Sequence, residues 1–130
     1  MAPPEPGVSA EAVRVFGQED FDRFAELTGD HNPIHVDSAY SAASRFGRTA
    51  AHGMFLYSCL CALMADAFPG AVQEGQDLMF PAPTFAGEPM TLRAEVTRVE
   101  AARVVVSTTI TREDGTATCI GEAVLRMGER

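Results

Sequence analysis

Gly53-Met54-Phe55-Leu56-Tyr57-Ser58-Cys59-Leu60-Cys61-Ala62-Leu63-Met64-Ala65 is the longest uncharged apolar stretch of the chain, 13 residues ended by Asp66. A membrane-spanning helix needs about 20 such residues, so this stretch is too short to cross a bilayer. Its apolar side chains (Met54, Phe55, Leu56, Tyr57, Leu60, Leu63, Met64) fall nearly all the way round a helical wheel. A helix apolar on every side must be surrounded by protein. Pro69-Gly70 ends it, which predicts a helix over residues 53–68, roughly 24 Å long at about 1.5 Å per residue.

What surrounds that helix follows from the sequence on either side. Downstream, Met90, Leu92, Ala94 and Val96 alternate with Thr91, Arg93, Glu95 and Thr97, the period of a half-buried strand. Residues 103–111 are rich in Val, Thr and Ile, residues with high strand propensity. Asp114-Gly115 is a hairpin signal before a last strand at 117–127. An earlier strand at 72–80 runs into Pro81-Ala82-Pro83, which break it or mark a bulge at its end.

Upstream, residues 13–16 read as a short edge strand. Residues 19–28 read as an amphipathic helix stopped by Gly29, and 38–44 as a short helix capped by Asp37 or Ser38. Helices come first and antiparallel strands second. The economical arrangement is an α+β domain with the sheet curled around the apolar helix.

The chain has 130 residues and a net charge of −8. That length is one domain. The domain is expected over residues 12–130, with residues 1–11 a loose Pro-rich tail that lacks the basic and apolar regions of a signal peptide. Every basic residue is arginine and none forms a basic run, so neither nucleic acid nor membrane is an expected partner. The three cysteines, Cys59, Cys61 and Cys119, form no disulfide pattern, and a reducing cytoplasm suits them.

The chemistry-bearing residues lie just before the apolar helix, in Asp30-His31-Asn32-Pro33-Ile34-His35 and His52-Gly53-Met54. Fully extended, Asp30 and His35 would be roughly 17 Å apart. Asn-Pro between them favours a turn, which can bring both side chains to one cavity. A carboxylate and an imidazole there can divide proton transfer between them. The Gly53 N–H, in the first turn of the helix, has no intrahelical partner. It sits at the positive end of the helix dipole and suits a carbonyl oxygen that gains negative charge. His52 can line the same mouth.

Taken singly, each residue has a structural reading: Asp30 and Asn32 as turn-makers, His35 as a satisfied histidine, Gly53 as a turn glycine. Their conjunction beside so apolar a helix is what points to a site. Asp30, His31, His35 and His52 could instead bind a cation. However, Pro33 interrupts any helix carrying His31 and His35, and no His-Glu-x-x-His occurs. No metal and no cofactor is expected.

The stretch from Phe24 to Asp37, followed by His52-Gly53-Met54 and by Phe80-Pro81-Ala82-Pro83-Thr84-Phe85-Ala86-Gly87-Glu88, resembles the MaoC-like (R)-specific enoyl-CoA hydratases of fatty acid metabolism. The resemblance implies a hot-dog fold, a long central helix wrapped by a curved antiparallel sheet, in a homodimer with active sites near the subunit interface. It implies reversible hydration of trans-2-enoyl-CoA to (R)-3-hydroxyacyl-CoA. By position, Asp30 matches the water-activating carboxylate and His35 its acid–base partner. Gly53 matches the glycine whose amide polarises the thioester carbonyl, and Asn32 and His52 stand in support. Cys61 stands where related hydratases often carry a serine near the site. A carrier-protein dehydratase, an acyl-thioester hydrolase and a non-catalytic acyl-thioester-binding subunit are the competing functions.

Overall fold

The structure, a computed structural model, describes residues 3–128. Strand β1 (Ser9–Val15) is followed by helices α1 (Gln18–Thr28), α2 (Pro33–Val36), α3 (Ser38–Ala42) and α4 (Gly53–Ala67). Strands β2 (Val72–Met79), β3 (Pro89–Glu100), β4 (Arg103–Arg112) and β5 (Ala117–Arg126) complete the chain. The strands form one antiparallel sheet in the order β1-β3-β4-β5-β2, so β1 and β2 are its edges.

The predicted alternation sets which face of the sheet is buried. Met90, Leu92, Ala94 and Val96 of β3 are buried while Thr91, Arg93 and Glu95 are not. With Val104, Val106, Ile110 and Leu125 they form the floor on which Leu56, Leu60 and Met64 of α4 pack. Phe21 and Ala25 of α1 are fully buried. Gly29 ends α1 at φ 82°, its N–H donating to the Ala25 carbonyl at 2.8 Å. That is the left-handed stop that glycine adopts without steric cost. At the hairpin between β4 and β5, the Thr116 N–H donates to Asp114 Oδ1 at 2.8 Å.

Two expectations change. The edge strand begins at Ser9 rather than at residue 13. The Gly7 N–H donates to the Val96 carbonyl, and the Val96 N–H to the Val8 carbonyl, each at 2.8 Å. Part of the expected tail is therefore tied to the sheet by main-chain bonds that its small and polar side chains do not announce. Met1, Ala2, Glu129 and Arg130, which complete the expected tail and domain, lie outside the described residues. Helix α4, for its part, is covered on one side only. Leu56, Cys59, Leu60 and Met64 are buried, whereas Met54 is 55% exposed. Within one chain the sheet meets one face of the helix and leaves the other open.

Candidate active site

The stretch after Gly29 is not a free turn. Asn32 caps α2, its side-chain oxygen accepting from the Ile34 N–H at 3.2 Å. Pro33 occupies the first helical position, where its missing N–H costs nothing. The proline that forbids continuation of α1 thus starts the one-turn helix that carries His35. Asp37 caps α3 in the same way, accepting from the Tyr40 N–H at 3.0 Å.

Ala50 meets α2 from the segment before α4. Its N–H donates to the Ile34 carbonyl at 3.0 Å, and its carbonyl oxygen lies 2.7 Å from His35 Nδ1. A carbonyl only accepts, so the neutral His35 ring carries its proton on Nδ1 and keeps a lone pair on Nε2. Gln18, at the start of α1, donates through Nε2 to the His35 carbonyl at 2.8 Å and accepts from the Thr49 hydroxyl. Gln18 and Thr49 thus staple α1, α2 and the approach to α4 together. Neither residue was legible from the sequence, because nothing local marks a long-range amide clamp.

His52 lies beneath His35. The two rings stack with centroids 3.9 Å apart and planes 24° apart, and Phe24 packs on His52 at 4.9 Å. His52 is 2% exposed. Its Nε2 donates to the Asp30 carbonyl at 3.0 Å, and its buried Nδ1 has no partner among the described residues. Burial is the leading influence on its basicity and lowers its pKa. The bond to Asp30 opposes that effect and the nearby His35 adds to it.

A carboxylate oxygen of Asp30 and one ring nitrogen from each of His35 and His52 lie within 4.8 Å of one another. The structure therefore brings Asp30, His35 and His52 together, with Asp30 exposed and His35 half-buried, whereas the cavity beside them is lined by His35 and, among the described residues, by neither Asp30 nor His52. The trio makes a poor cation cage. Stacked rings hold their lone pairs in nearly parallel planes, while a metal at about 2.0–2.1 Å must lie close to the plane of each ring that binds it. One nitrogen of each ring is in any case held by a carbonyl. A separation below 5 Å between carboxylate and imidazole is instead the span of a single bridging water.

His35 and Gly53 line a cavity of about 310 Å³, with Ile34, Phe46, Phe80 and Thr84 among its other walls. Phe80 lies directly over Gly53: a Cβ at that position would come within 2.8 Å of the ring. Backbone here is approached as closely as only glycine allows. Cys61 is not part of this cavity. Two turns further along α4, its thiol lies 3.4 Å from Gln73 Oε1, beside Met64, Phe68 and Leu125.

Comparison with known proteins assigns the chain to a family. Residues 2–117 match the MaoC like domain. The chain is 34% identical to the (R)-specific enoyl-CoA hydratase of Aeromonas caviae over 127 residues, 95% of each chain. It is 32% identical over 121 residues to the 3-hydroxyacyl-thioester dehydratase Z of Mycobacterium tuberculosis, covering 84% of this chain and 80% of that one. The solved (R)-hydratase from A. caviae superposes with a TM-score of 0.92 at 33% identity, over 96% of this chain and 98% of that one. An antiparallel sheet packed on one long helix, with a carboxylate and two imidazoles at that helix's mouth, is thus the hot-dog fold of a hydro-lyase, and the chain belongs to the MaoC-like domain family.

Proposed function

We propose that the protein adds water reversibly to trans-2-enoyl-CoA thioesters, giving (R)-3-hydroxyacyl-CoA, with Asp30 and His35 as the dyad. The observation that carries this reading is the Asp30 carboxylate facing a half-buried His35 whose Nδ1 is taken by Ala50. The ring is left one basic nitrogen, Nε2, and a ring nitrogen of His35 lies within a water's span of the carboxylate.

The thioester carbonyl accepts from the Gly53 N–H, which draws electron density from C3. A water held between Asp30 and His35 Nε2 gives a proton to the dyad as its oxygen bonds to C3. The C2–C3 π electrons move toward the carbonyl oxygen, and the Gly53 N–H stabilises the resulting enolate. The dyad then returns the proton to C2. OH and H are both delivered from the dyad's side, so addition is syn, and dehydration is the same path reversed. The (R) configuration follows the family, not a distance in the site.

The net charge of −8 offers no general attraction to an acidic carrier protein or to the polyanionic CoA, so the choice of CoA follows the family resemblance. The open face of α4 and the edge at β2 leave Met54, Met79, Phe80 and Ile120 between 40% and 61% exposed. A second copy of the chain is the proposed cover, in a cytoplasmic homodimer. Sedimentation in solution tests this directly, and a monomer would overturn it.

The function is tested by incubating the protein with a length series of trans-2-enoyl-CoAs while following loss of the conjugated absorbance and the chirality of the product. Hydration to the (R) alcohol supports the proposal. Release of free thiol without hydration would identify an acyl-thioester hydrolase. Binding without turnover would identify a non-catalytic subunit.

A further inference from the structure

We propose that His52 is the positioning residue of this site: its Nε2–H, donated to the Asp30 carbonyl, and its ring face, stacked on His35, together set the separation of carboxylate and imidazole. The inference rests on the hydratase reading above for its kinetic consequence, but not for its structural one.

Asp30 is exposed and immediately follows the glycine that ends α1. Its N–H reaches Thr28 Oγ1 at 3.3 Å and its Oδ1 accepts from the Asn32 N–H at 3.3 Å. Both partners are only two residues away. Among the described residues, the bond from His52, 22 positions along the chain, is the one that ties Asp30 to a distant element. Without it the carboxylate hangs on a short loop.

His52 is also the residue before α4, so it sets Asp30 and His35 in register with the free N–H of Gly53. It stands between Phe24 and His35, where a phenyl ring would fill the space without leaving Nδ1 buried and unpartnered. Buried polar groups are normally paired. In that position the Nε2–H bond to the Asp30 carbonyl is the polar contact that a phenyl ring would lose.

Two variants separate the contributions. His52→Phe keeps a ring between Phe24 and His35 and loses the donor. His52→Gln places an amide N–H near the position of Nε2 and loses the ring. Misplacing a reacting group by about 1 Å can cost roughly a hundredfold in rate. His52→Phe is therefore expected to lower kcat at least about 30-fold with KM within about twofold, and His52→Gln, which keeps a donor but not the ring, to fall between His52→Phe and wild type. A role in packing alone predicts the opposite order, and His52→Phe with wild-type kcat overturns the inference.

A readout free of substrate guards against a variant that does not fold. Two-bond ¹H–¹⁵N spectra of the wild-type imidazoles should show His52 protonated at Nε2 and His35 at Nδ1. His52 protonated at Nδ1 overturns the inference whatever the activity. The expected tautomers in a protein that hydrates no enoyl thioester would count against the proposed function alone.

Discussion

His35 Nδ1 lies 2.7 Å from the carbonyl oxygen of Ala50, and this contact decides which nitrogen of the ring is free to take a proton. An asparagine amide can reproduce the donor at Nδ1 but not the base at Nε2. His35→Asn is therefore expected to fold with a melting temperature close to wild type and to lose at least about a hundredfold in turnover, the usual worth of a positioned acid–base group. Paired melting curves and rate measurements check it. Full activity in His35→Asn would show that Nε2 is not the working nitrogen.

Gly53 and Phe80 touch, and the contact is with the far edge of a ring that is 43% exposed. A methyl group at position 53 can therefore push the ring aside without straining the core. Gly53→Ala should change stability by less than about 1 kcal/mol. The same methyl crowds the approach to the amide, so kcat/KM should fall about tenfold or more, the range for an impaired oxyanion donor. The double variant Gly53→Ala/Phe80→Ala should not recover the rate. Recovery would place the obstruction at Phe80 rather than at the amide.

Burial holds the His52 pKa below its ordinary value of 6.5, with the like charge of His35 and His31 acting in the same direction and Asp30 opposing. The unfolded chain therefore binds a proton in a range where the folded chain does not, and stability rises with pH there. The contribution is present above pH 6.5 and is lost as pH falls from there toward the depressed folded pKa. Urea midpoints of wild type should drop between pH 7.5 and pH 5.5 more steeply than those of His52→Gln. Equal slopes would mean that His52 does not titrate anomalously.

Leu60 is fully buried in the cluster formed by α4 and the sheet. Leu60→Ala leaves a cavity that close-packed neighbours fill only in part, so a loss of about 2–5 kcal/mol is expected by denaturant titration. Met54, on the open face of the same helix, should cost under about 1 kcal/mol on truncation in a monomer. A larger loss that depends on protein concentration would reveal a covering partner.

Much of this arrangement could be read from local pattern. The period of two in β3, the helix after His52, the glycine after α1 and the cap at Asp37 all act within a few residues, and the structure has them in place. The convergence of Asp30 and His35 followed from a proline that forbids an extended path, although that proline starts a helical turn instead of a loose one. What escaped reading depends on distant partners. Ser9 and Ala10 join the sheet through main-chain bonds that no side chain signals. Gln18 and Thr49 meet only after three helices have packed. The sequence does not tell which face of an all-apolar helix the same chain covers, nor that Cys61 falls beside Gln73 and away from the cavity.

The central claim, that Asp30 and His35 together add water to an enoyl thioester, is tested most directly by comparing initial rates of loss of the conjugated absorbance of a short trans-2-enoyl-CoA. The proteins to compare are wild type, Asp30→Asn, His35→Gln and the double variant. The account predicts a loss of about a hundredfold or more for each single variant and little further loss in the double variant, because the two groups act as one unit. Wild-type rates in both single variants would contradict it.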